Sequence, residues 1–184
     1  MSALHIGMAV DVLWRGGLIA YPTEAVWGLG CDPLNEEACL NLLQIKQRPV
    51  GKGMILVAAD MQQIDFLLQP LTEKQKLLLQ KSWPGPETWL IPDDLDQIPV
   101  WIKGDHQSVA VRVSAHPIVQ QLCTAFGGPL VSTSANKAGQ RPARTRVQLA
   151  RVLAAEVDYV VPGALGNSSM PSKITDLVTG QLIR

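Results

Sequence analysis

Short apolar runs of strand length recur along this chain, with helix-period segments between them. "LIAY" (18–21), "MILVAA" (54–59), "SVAVRV" (108–113) and the front of "PLVSTSAN" (129–136) are each too short for a core helix. "SVAVRV" alternates, so a strand there puts Val109, Val111 and Val113 on one face and Ser108, Ala110 and Arg112 on the other. "MILVAA" is continuous, as in a strand buried on both faces. "SWPGPETWLIP" sets three prolines and a glycine around a further short strand, and "YVVP" reads as another.

The intervening segments read as helices. Ile6, Ala9, Val10, Leu13 and Trp14 fall at helical spacing over 5–15 and stop at Gly16-Gly17. Asn35 caps a helix with Glu36 and Glu37 in its first turn, which runs through "ACLNLLQIK" and ends before Pro49. Further helices are expected from Asp60 to Pro70, from Thr72 with Gln75 closing a capping box, from His116 to Phe126, and over 145–156. A Gly/Ser loop and a hairpin turning at Thr179-Gly180 follow. Helices interleaved with strands predict one α/β domain over 1–184, a twisted mixed sheet flanked by helices, with ligands at polar strand ends.

Composition narrows the classes. With 184 residues, 47% of them hydrophobic, one domain can bury a core without crosslinks. No apolar run reaches membrane-spanning length, and "MSALHIGMAV" lacks the pattern of a signal peptide. Cys31, Cys39 and Cys123 show no C-x-x-C spacing, which fits reduced thiols in a cytoplasm. His5, His106 and His116 are scattered, so no protein-held metal is expected. Sixteen basic residues balance sixteen acidic ones, which argues against nucleic-acid binding through global charge. The charge is local instead, in "KQRPVGK" and "RPARTR".

Chemistry-bearing motifs are few. No P-loop, dinucleotide fingerprint or nucleophile elbow occurs. Catalysis is therefore expected to work by positioning and charge stabilisation, as in phosphoryl and nucleotidyl transfer. Lys46 and Arg48 at a helix end suit either the helix dipole or a bound anion. "STSAN" suits a polar turn or a ligand loop, and Arg112 a solvated face or an anion in a cleft.

"YPTEAVWGLG", "LLQIKQRPVGKGMILVAAD", "WPGPETW", "SVAVRVSAHP" and "STSAN" together resemble the YrdC-like family in order and spacing, specifically its short bacterial, TsaC-type form. The likeness runs from about residue 7 to the end and centres on paired K-x-R (Lys46, Arg48) and S-x-N (Ser134, Asn136) elements. It implies the YrdC-like fold with a central substrate cleft and no C-terminal extension domain. The activity implied is synthesis of L-threonylcarbamoyladenylate from L-threonine, bicarbonate and ATP, with magnesium arriving on ATP. The product would feed threonylcarbamoyladenosine formation in tRNAs reading codons that begin with A, through a downstream threonylcarbamoyltransferase complex; direct tRNA binding is compatible with the family. By resemblance Lys46, Arg48, Ser134 and Asn136 are catalytic. Thr23, Ser108, Arg112 and Ser172 contact threonine or carbamate. Lys46, Arg48, Lys52, Ser132, Ser134, Arg141 and Arg184 hold ATP. Trp27 and Lys52 depart from the family, where a smaller aromatic and an asparagine are common.

Two other readings compete. A non-catalytic RNA-binding module would use the basic loops at 46–52 and 141–151, although two Tyr and two Phe give little stacking surface beside five Trp. Carbamoyl transfer in metallocentre maturation normally brings extra domains. Beneath Thr23, Pro22 is expected to fix the backbone and Gly28 and Gly30 to let the chain turn. Glu24 is expected to be structural, tying down a loop.

Overall fold

The structure is a computed structural model that describes residues 2–153, 156–168, 170 and 172–184. Eight strands form one mixed sheet: β1 (Ile19–Pro22), β2 (Trp27–Gly30), β3 (Ile55–Ala58), β4 (Glu87–Pro92), β5 (Ser108–Val113), β6 (Leu130–Ser134), β7 (Tyr159–Val160) and β8 (Lys173–Asp176). Their order is β7-β1-β2-β6-β3-β5-β4-β8. β1/β7, β3/β5 and β4/β8 are parallel, and the remaining neighbours antiparallel. The helices are α1 (Ala3–Trp14), α2 (Glu36–Lys46), α3 (Asp65–Leu68), α4 (Glu73–Ser82), α5 (Val100–Lys103), α6 (Pro117–Phe126) and α7 (Arg146–Leu153). No helix among the described residues is long and apolar enough to cross a membrane.

Local signals behave as their chemistry requires. Asn35 Oδ1 accepts from Ala38 N–H at 3.0 Å, and Thr72 and Gln75 close the capping box of α4. α6 starts with Pro117 at its first position and ends on Gly127 in the left-handed region, φ 91°. The closing hairpin forms, with an isolated bridge from Thr175 to Leu182. Two expectations change, and a third falls partly outside the described residues. The stretch from Asp60 to Pro70 is a 3-10 turn (Gln62–Ile64) followed by one turn of α3, not a continuous helix. The expected helix over 145–156 is described as Arg146–Leu153, and residues 154–155 lie outside the described residues. "WGLG" is a buried inner strand, so Gly28 and Gly30 serve close packing and not a turn.

Gly30 carries the clearest steric demand. A Cβ there would press into the Val131 carbonyl and sit 2.9 Å from the Tyr21 ring. The ring and the neighbouring strand hold each other in place, so neither can yield cheaply. Gly30→Ala is expected to lower stability by about 1–3 kcal/mol through overpacking, measured as a shift in the urea midpoint.

Period-2 alternation sorts the strand residues into two cores. Ala20, Leu29, Leu56, Ala58, Val131 and the valines 109, 111 and 113 face a cluster with Leu42, Leu79, Ile102 and Leu149. Ile19, Tyr21, Val57 and Leu130 face α1 and α6 on the opposite side. Those two helices cover only part of their face. Further along it, the same alternation leaves Gly28, Ile55, Ser108, Ala110, Arg112, Ser132 and Ser134 lining an open cleft.

Candidate active site

The cleft measures about 350 Å³. Its floor is sheet, and its rim is the β1–β2 turn, the loop entering β3, Met170, and the last residues, Ile183 and Arg184. Of the sequence candidates, Thr23, Arg48, Lys52, Ser108, Arg112, Ser132, Ser134, Ser172 and Arg184 line it. Lys46, Asn136 and Arg141 do not.

Backbone geometry separates Lys46 from Arg48. Gln47 ends α2 in the left-handed region, φ 53°, so its two neighbours leave the helix in different directions. The buried Lys46 ammonium donates to the Ser134 carbonyl at 2.5 Å and the Asn136 carbonyl at 2.9 Å. Burial, and then the charge of Arg48, lowers its pKa from 10.5 to about 8. Asn136 closes the loop, accepting from Ser134 Oγ at 2.5 Å and donating to the carbonyls of Lys137 and Gln140. Lys46 and Asn136 thus shape the Ser134 loop from behind the cleft. Arg141 is exposed on the adjoining loop.

Arg48 folds over the β3 entrance. Its Nε and Nη2 donate to the Gly53 carbonyl at 3.1 and 2.9 Å, and Nη2 also reaches the Lys52 carbonyl at 3.1 Å. Burial and the nearby Arg184 lower its pKa; burial and Arg112 lower that of Arg184. These mutual repulsions mark a chain of cations, Arg48–Arg184–Arg112, with exposed Lys52 on the same rim. Lys103 also lines the cleft but is matched by Asp93 at 2.8 Å and by Asp96. A surplus of positive charge in a partly enclosed pocket suits a polyanion.

The other end is more neutral. Thr23 Oγ1 donates to the Val26 carbonyl at 2.8 Å, which braces the β1–β2 turn. Glu24 Oε1 accepts from Ser114 Oγ at 2.6 Å, and Oε2 lies 3.4 Å from Arg112 Nη2. The backbone carbonyls of Thr23 and Glu24 accept from Gly166 and Ser168 N–H, so the pair does tie down a loop. Ser172 accepts from Thr88 Oγ1 at 2.9 Å. His116 donates its backbone N–H to Ser114 Oγ, and burial lowers its imidazole pKa. Sequence reasoning missed the Glu24–Ser114–Arg112 cluster and exposed His106 at the rim. Arginine inside a strand was the one signal pointing to the cluster. Among the described residues no group of three or more His, Cys, Asp or Glu converges as a metal site would require.

Fold and site define an α/β protein whose half-covered sheet face carries a cationic, hydroxyl-lined cleft. The chain belongs to the Sua5/YciO/YrdC family, whose model, described as "Telomere recombination", matches residues 11–184. It is 53% identical over 183 residues to the threonylcarbamoyl-AMP synthase of Marinobacter nauticus, covering 100% of this chain and 96% of that one. It is also 53% identical over 184 residues to the enzyme of the same name from Pseudomonas aeruginosa, covering 100% and 98%. In structure it is similar to P. abyssi Sua5 complexed with L-threonine, with TM-score 0.89 and 29% identity over 97% of this chain. The match spans about half of that longer protein, 53%. E. coli YciO is similar too, with TM-score 0.84 and 26% identity, covering 97% of this chain and 87% of that one.

Proposed function

We propose that the chain condenses L-threonine, bicarbonate or CO2, and ATP to threonylcarbamoyl-AMP and pyrophosphate. The observation that supports this reading is the charge layout of one cleft: linked cations at one end, an arginine–carboxylate pair at the other, and serine hydroxyls between them. Threonine and carbon dioxide form a carbamate, whose oxygen attacks the α-phosphorus of ATP as pyrophosphate leaves. A carbamate already carries its nucleophilic charge, so alignment and neutralisation of the triphosphate are the remaining demands.

In this reading Arg48, Lys52 and Arg184 hold the phosphates, and Ser132 and Ser134 contact nucleotide or carbamate. Arg112 takes the threonine carboxylate, with Thr23, Ser108 and Ser172 around the amino acid. Lys46 and Asn136 set the Ser134 loop, and Arg141, exposed beside the cleft-lining Pro142, meets ATP from the rim. Magnesium comes with ATP as part of the substrate. The product then serves tRNA modification through a downstream threonylcarbamoyltransferase. The curated relatives bearing the synthase name favour this reading over a non-catalytic RNA-binding module.

Pyrophosphate release with ATP, bicarbonate and each amino acid tests it. Threonine should stimulate release, and serine should do so about 10–200-fold less efficiently, since one methyl contributes only about 1–3 kcal/mol of discrimination. Absence of threonine-dependent release together with tight tRNA binding would favour the RNA-binding reading.

A further inference from the structure

Glu24 has no substrate role in the proposed reaction, yet among the described residues it is the one acidic side chain lining the cleft. Its position along the cleft is specific. β3 and β5 run parallel, with Ile55 beside Ala110 and Val57 beside Arg112, while the Arg48-held loop enters β3 at Gly53. Four residues of strand therefore separate that entrance from Arg112, about 13 Å at 3.3 Å per residue. Glu24 lies at the Arg112 end.

Apart from the 3.4 Å ion-pair contact between Arg112 Nη2 and Glu24 Oε2, two atoms of this pair lack hydrogen-bond partners among the described residues. Glu24 Oε2 accepts no hydrogen bond and Arg112 Nε donates none, although both are shielded from water. The Arg112 side chain is 9% exposed and that of Glu24 13%. Ser114 Oγ donates to the other carboxylate oxygen at 2.6 Å and orients the Glu24 side chain. A buried donor without an acceptor, beside a carboxylate oxygen held only by a 3.4 Å ion-pair contact, suits a ligand that offers both an acceptor and a donor. An α-amino acid zwitterion does so, through a carboxylate and an ammonium on one carbon.

Resting on the proposed synthase reading, we infer that Glu24 is a specificity-determining residue that divides the cleft into two subsites. With Arg112 it forms a charge-balanced subsite in which Oε2 receives the amino-acid ammonium and Arg112 the carboxylate. The same carboxylate cancels the Arg112 charge as seen by a polyanion. Triphosphate and pyrophosphate are thereby confined to the Arg48, Lys52 and Arg184 end, and ATP does not compete for the amino-acid site.

Steady-state kinetics of Glu24→Gln test this, with pyrophosphate as the inhibitor. In the wild-type enzyme pyrophosphate should compete with ATP and not with threonine. In Glu24→Gln the KM for threonine should rise about tenfold or more, the KM for ATP should stay within about twofold, and pyrophosphate should become competitive with threonine. Glu24→Asp, which keeps the charge, should restore the wild-type inhibition pattern. An unchanged threonine KM in folded Glu24→Gln overturns the inference, as does a parallel rise in both KM values with inhibition unchanged. Threonine-dependent turnover by the wild-type enzyme keeps these outcomes separate from failure of the synthase reading itself.

Discussion

Replacing Arg112 by lysine raises the KM for threonine about a hundredfold, while the KM for ATP stays within about threefold. The expectation follows from placement and shape. Arg112 lies on the inner face of β5, beside Val57 and some four residues from the loop entering β3. Lysine keeps the charge but loses the planar fork, and a carboxylate bound by two parallel N–H groups falls to a single contact. Arg112→Ala is more severe, because it also leaves the Glu24 carboxylate buried without its cation, 3.4 Å from where Nη2 had been. That variant should lose about 2–5 kcal/mol of stability. Adding Glu24→Gln should return part of it, giving a coupling of about 0.5–3 kcal/mol in a double-mutant cycle read from urea midpoints. Equal rises in the threonine and ATP KM values for Arg112→Lys would instead place Arg112 among the phosphate ligands.

The half of the fold with strong period signals was legible in the sequence. "SVAVRV" puts its valines into the core and Ser108, Ala110 and Arg112 into the cleft, as the alternation required. "WGLG" was not legible as a strand, because glycine gives neither β propensity nor a face to read. The reason for Gly30 is a ring at Tyr21 and a carbonyl at Val131, and the second lies a hundred residues away in sequence. α5 spans four residues, less than any periodic window can detect. The site divides in the same way. Local patterns supplied residue types, but the direction of Lys46 depends on the left-handed Gln47 beside it. Glu24 acquires its partners from Ser114 and Arg112 on another strand and its connection, and no local pattern encodes that meeting.

Lys46→Met should cut turnover by about a hundredfold or more while the protein remains folded. Methionine retains most of the stem but removes the donor shared by the Ser134 and Asn136 carbonyls. Each buried carbonyl left unpaired costs about 1–3 kcal/mol. Removing a buried ammonium offsets part of this, since burial is what holds that group near pKa 8. Catalysis has no such offset, because Ser134 lines the cleft and its loop loses its rear anchor. The pH dependence separates the two contributions. The Lys46 pKa is about 8 in the folded chain against 10.5 for the unperturbed group, so between these values the unfolded chain binds more protons. Wild-type stability therefore gains from this residue as pH rises through that window, with the full penalty of the buried charge present below it. In Lys46→Met that gain should be missing from urea midpoints compared at pH 7.5 and pH 10 (about the two ends of the window). Normal turnover in the folded variant would reduce Lys46 to a helix-end anchor, and the Ser134 loop would then hold its shape through Asn136 alone.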